Sequence, residues 1–155
     1  MFDLVNGLPI HPLVVHAVVV LLPLAVLGTI AIAVRPAWRE RYGVLVVGTA
    51  LVATVLVPVA TSSGEALEKH VGDPGNHAAL GDQLIWFAIP LLLLAAALTW
   101  LHRRDAGATV LKGVAALAVV AALATAVQVY RVGDSGARAA WGDQVSSATP
   151  GGSGD

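Results

Sequence analysis

The sequence predicts an all-α fold, an integral membrane up-down four-helix bundle, and three observations lead there. The first is composition: 57% of the 155 residues are hydrophobic and only 12% are charged, against roughly a quarter charged in soluble domains. A mean hydropathy of +0.78 belongs to a chain whose solvent is lipid. The second is that the apolar residues gather into four stretches, 13–34, 44–63, 84–101 and 110–130. Each is near the ~20 residues that a helix needs to cross ~30 Å of hydrocarbon. The third is that none of these stretches carries Lys, Arg, Asp or Glu in its interior, while turn-forming residues fill the gaps.

The first span begins at "HPLVVH". Pro12 suits the first turn of a helix, where its missing N–H has no partner to lose, so His11 falls near the cap and His16 about one turn inside. The run lacks a basic leader, has Asp3 before it and is too long for the apolar core of a secretory signal. It is expected to be retained. "RPAWRERYG" joins spans one and two, "GDPGNH" joins two and three, and "HRRDAG" joins three and four. Such short connections make successive helices antiparallel neighbours. Pro23, Pro58 and Pro90 fall inside spans and are expected to kink them, each freeing a carbonyl for a neighbour to satisfy. Residues 1–145 then form one domain, and the Gly/Ser-rich tail 146–155 is expected to be disordered. No internal repeat is evident in the sequence.

Charge sets the expected sense of insertion. Arg35, Arg39, Arg41, Arg103, Arg104 and Lys112 lie on one face, and only Lys69, Arg131 and Arg138 on the other. By the positive-inside rule the first and third loops are cytoplasmic and both termini extracytoplasmic. Eight of the ten acids fall on the outer face. His11, His16, His70 and His77 are thereby drawn to one outer rim, with Glu65, Gln128, Tyr130 and Arg131. His102 alone lies at the other end, beside Arg103 and Arg104, as an interfacial anchor.

At that rim the chain resembles a known family. "HPLVVH", the Ser63-Gly64-Glu65 triplet, the loop His77 and the closing "VYRVGDSGARAAW" are similar to bacterial four-span membrane proteins catalogued as domain of unknown function twenty-two thirty-one. The resemblance runs from about Gly7 to Trp141, and its first and last motifs are the specific ones. Family members often read His-Ser-Gly where this chain has Asp134-Ser135-Gly136, so one ligand of the family pattern is absent here. Fusion of some members to Rieske-type domains implies a redox neighbourhood. The resemblance also implies the bacterial plasma (inner) membrane, crossed several times.

Two functions stay open on the residues alone. One is a non-catalytic accessory or docking subunit whose outer histidines, with Glu65 and Arg131, cap helix ends. Its partners would be the bilayer and a membrane protein complex or a second copy. The other is an electron-transfer subunit binding haem b or a metal ion, with His16 and His77 as cofactor ligands. In that reading His11, His16, His70 and His77 form the metal-ligand pool, and Glu65, Gln128, Tyr130 or Arg131 bonds the far ring nitrogen. A histidine inside a span points to function, which favours His16. Geometry resists the pairing: His11 and His16 are about 140° apart on a helix, and His77, seven residues before Leu84, would stand ~10 Å outside the hydrocarbon. A carrier finds Thr29, Thr54, Thr99, Thr125 and Gln128 as polar groups deep in the spans, and no charged path crosses the core. Cysteine is absent, excluding thiolate chemistry. No catalytic residues are assigned: "GDSG" has no triad spacing around it, and no phosphate loop or nucleic-acid patch is present.

Overall fold

A computed structural model of the chain describes residues 4–5, 8–71 and 75–147, with side chains described for 11–66 and 75–141. Four helices carry the fold: α1 Ile10–Val34, α2 Pro36–Val71, α3 Asn76–Arg103 and α4 Ala108–Ser147. Ahead of α1, β1 Leu4–Val5 and β2 Leu8–Pro9 form a minimal antiparallel pair. All four helices are long and apolar enough to cross a membrane. The helices outrun the hydropathic spans: α2 has 36 residues and α4 has 40, or about 54 and 60 Å at 1.5 Å per residue. Lipid contact ends where hydropathy falls, but the backbone hydrogen bonding continues. The tail expected from Ser146 overlaps the last turn of α4, and residues 148–155 lie outside the described residues.

The nine-residue first connection expected from "RPAWRERYG" is in fact a single residue, Arg35. Pro36 opens α2 with the fixed φ and absent N–H that a first helical position tolerates. Arg39 explains how so tight a corner is stable. It is buried, and its Nε and Nη2 donate to the carbonyls of Ile32 and Ala33 at 2.7 Å each. The last turn of α1 thus gets charged donors for two orphan carbonyls.

Each helix packs on its two chain neighbours, α4 closes on α1, and the α1–α3 diagonal barely touches. The interior is built from small residues: Ala25, Ala50, Ala53, Ala88, Ala95, Ala118 and Ala122 are fully buried. That is the composition that lets helix backbones approach where lipid supplies no hydrophobic drive. Gly28 lies against Val46, and Gly43 against Thr99. The exterior is apolar too, with Leu27 65% and Leu45 68% exposed, while the interior holds Thr29, Thr54, Thr99, Thr125 and Gln128. Pro90 withdraws one N–H from α3. In the same turn the hydroxyls of Thr125 and Thr54 reach across to the carbonyls of Phe87 and Ala88, at 3.2 and 3.5 Å.

The bundle is an internal repeat, contrary to the expectation of none. Val18, Leu22, Ala25, Thr29 and Ile32 of α1 are buried, and 66 positions later so are Leu84, Ala88, Leu91, Ala95 and Leu98 of α3. Val46, Ala50 and Ala53 of α2 match Ala118, Ala122 and Thr125 of α4, 72 positions on. Burial register is what repeats along the spans; of these eight pairs only Ala50 and Ala122 keep residue identity, so the apolar stretches conceal it. The α1–α2 hairpin and the α3–α4 hairpin are two copies of one unit.

Candidate functional site

The repeat brings two imidazoles to one chamber. His11 is the second residue of α1 and His77 the second of α3, so the two rings sit at equivalent heights on diagonal helices. They line a cavity of about 520 Å³. Its floor is apolar, formed by Val18, Val57, Leu84 and Val129. Glu65 and Asp82, both exposed, are the carboxylates on its lining.

Each ring is gripped in the same way. Nδ1–H of His11 donates to the Ala60 carbonyl at 3.0 Å and to Ser63 Oγ at 3.1 Å. Nδ1–H of His77 donates to the Val132 carbonyl and to Ser135 Oγ, both at 3.2 Å. Each serine hydroxyl donates in turn to the same carbonyl, at 2.9 Å. A carbonyl only accepts, so the proton of the neutral ring is on Nδ1 and the lone pair is on Nε2. Behind each serine is a glycine on which the ring rests. A Cβ at Gly64 would come within 3.0 Å of His11 Cε1, and one at Gly136 within 2.9 Å of His77 Cε1. Helices α1 and α3 therefore supply the imidazoles, and α2 and α4 supply a Ser-Gly cradle for each.

His16, expected as the axial partner of His77, is exposed, bonds its own Pro12 carbonyl and does not line the cavity. It is His11 that faces the chamber with His77. The height mismatch expected between His16 and His77 remains: α3 begins at Asn76, so His77 stands level with His11, and His16 is five residues, or about 7 Å, deeper along α1. The side chain of His70 lies outside the described residues. Among the described residues, the groups expected to orient the rings are not the ones bonded to them. Gln128 is buried, donates to the Leu80 carbonyl at 3.0 Å and accepts from Arg131 at 3.3 Å. Tyr130 is 73% exposed, and Glu65 is exposed at the cavity lining. Asp134 pairs with Arg138, not Arg131, at 2.9 Å. Ser63, Gly64, Ser135 and Gly136 are the partners sequence reasoning missed. The signal was there as a Ser-Gly dipeptide closing both the second and the fourth span.

Among the described residues no three His, Asp or Glu side chains converge as a metal-binding group. His11 and His77 are the imidazoles on the lining of this largely apolar chamber. The comparisons with known proteins agree with the membrane architecture. No curated protein and no solved structure matches the chain. The family described as predicted membrane protein (DUF2231) matches residues 7–149. With four apolar helices and that match over nearly its whole length, the chain belongs to this family.

Proposed function

We propose that this protein is a multi-pass membrane subunit that carries electrons on a b-type haem held between His11 and His77. The observation that carries the reading is the duplicated grip on Nδ1, which leaves each Nε2 as the ring nitrogen with a lone pair to offer a ligand. Hydrogen bonding of the far ring nitrogen is how proteins fix a ligating imidazole and raise its basicity. Zinc takes at least three protein ligands even in catalytic sites, whereas a porphyrin supplies four of its own and asks two of the protein. A cavity of about 520 Å³ lies within the ~300–1,000 Å³ of cofactor sites. Six basic residues on the loop-one and loop-three end support cytoplasmic loops there, and with them an outer position for the chamber and both termini in a bacterial inner membrane.

Purification in mild detergent with haem supplied tests this. The expected spectrum is that of a low-spin, bis-imidazole haem, lost in His11→Ala and in His77→Ala and kept in His16→Ala. Protein that stays colourless while folded overturns it, and the accessory, docking role without a cofactor is then the reading that remains.

A further inference from the structure

At the opposite end of the bundle a groove of about 380 Å³ runs between α1 and α2. Its walls are Leu24, Gly28 and Ala31 on one side and Leu45 and Thr49 on the other. Trp38 and Tyr42 stand in it and meet edge to face with centroids 6.0 Å apart. A guanidinium lies over each ring: Arg35 is 5.0 Å from the Trp38 centroid, and Arg41 is 5.3 Å from that of Tyr42. Arg39 is turned inward to cap α1, but Arg35 and Arg41 are exposed. Among the described residues neither makes an ion pair, not even with Glu40 between them in sequence. Helix α2 opens at this corner with no acid in its first turn, so its dipole adds to the positive field.

The repeat supplies an internal control. By the same offsets Leu94 replaces Gly28, and Val110 and Val114 replace Trp38 and Tyr42. The second hairpin thus puts a bulky side chain at the position of Gly28, and the aromatic ring and arginines of its own corner, Trp100, Arg103 and Arg104, stand at other positions than Trp38, Tyr42, Arg35 and Arg41. The groove lies between α1 and α2 and is not imposed by the shared architecture.

We propose that this groove binds one anionic phospholipid, its acyl chain against Gly28 and Ala31 and its phosphate held by Arg35 and Arg41. Apolar length, an aromatic ledge at the interface and unpaired arginines stacked above it match an acyl chain, a glycerol backbone and a charged headgroup in that order. Guanidinium forks bind phosphate oxygens two at a time, which ammonium groups do not.

The full chain in phosphatidylcholine vesicles tests this, with a minor fraction of phosphatidylglycerol brominated on its acyl chains to quench nearby tryptophan. One variant keeps only Trp38 (Trp86→Phe, Trp100→Phe, Trp141→Phe). Another keeps only Trp100, which also lies under an arginine, Arg104 at 5.4 Å, but does not line the groove. The preference for brominated phosphatidylglycerol over brominated phosphatidylcholine is expected to be about tenfold greater at Trp38 than at Trp100. Arg35→Gln with Arg41→Gln, and separately Ala31→Leu, should bring Trp38 down to the Trp100 level. Equal preference at the two tryptophans, or a Trp38 preference that survives loss of both arginines, overturns the proposal.

Discussion

Gly136 lies so close to His77 that the smallest side chain, a single Cβ, would come within 2.9 Å of the ring; Gly64 holds the same relation to His11 at 3.0 Å. Gly136→Ala and Gly64→Ala must therefore push an imidazole off its carbonyl and serine. Overpacking of this kind costs about 1–3 kcal/mol, and thermal unfolding in detergent should show it. Gly48→Ala is the control: nothing stands within 4 Å of a Cβ there, so helix propensity alone acts and stability should rise by up to ~1 kcal/mol. Unchanged melting in both cradle variants would mean the rings do not rest where the structure puts them.

Removing a cradle hydroxyl is gentler. Ser63→Ala and Ser135→Ala each take one acceptor from an Nδ1–H and leave the backbone carbonyl, at 3.0 Å for His11 and 3.2 Å for His77. A loss of about 0.5–1.5 kcal/mol is expected from each. The two sites share no partner, so the double variant should lose the sum of the singles. If haem is bound, each substitution weakens one axial imidazole and shifts the midpoint potential while the bis-imidazole spectrum persists. A spectrum lost with the hydroxyl would show that the carbonyl is not the main anchor.

Arg39→Ala should be the most damaging change at the other end. It strips two carbonyls, Ile32 and Ala33, of charged donors at 2.7 Å inside a corner one residue long. Hydrogen bonds to charged groups contribute about 1.5–3 kcal/mol apiece, so unfolding in denaturant should show a loss on the order of 3 kcal/mol or more. Arg39→Lys, which lacks the planar fork, should recover only part of it. An Arg39→Ala protein as stable as the parent would contradict the capping role.

Sidedness is open to a direct measurement, because the chain has no cysteine to interfere. Single cysteines at Gly107, between α3 and α4, and at Ala140, on the projecting end of α4, should label from opposite sides of the membrane. The basic-rich end is expected inside, so an impermeant thiol reagent applied to whole cells should reach the Ala140 position and not the Gly107 position.

The four crossings were legible because hydropathy integrates over about 20 residues and tolerates local error. The ends of the helices were not, since a helix keeps its hydrogen bonds past the lipid boundary. That is why His77, read as a loop residue seven positions ahead of Leu84, proves to stand in the first turn of α3. Which histidine faces inward depends on helix rotation, and α1 is apolar all round, leaving no stripe to read. His11 and His16 were separable only as two directions about 140° apart, and the span-interior position of His16 argued for the wrong one to face the cavity. Ser63-Gly64 and Ser135-Gly136 stood out as motifs but not as partners of the rings, because a hydroxyl at a helix end does not reveal which side chain it meets across the bundle. Their meaning emerges only when Ser63 and Ser135 are seen holding equivalent rings.

Because each hairpin contributes one imidazole and one cradle, the chamber is a seam between two half-proteins and belongs to neither. A chain severed between α2 and α3 would yield fragments that each own one imidazole and its cradle, and only their reunion would rebuild the chamber. Closure of the chamber therefore reports that the two hairpins have docked correctly, since a misdocked hairpin has nothing with which to complete it.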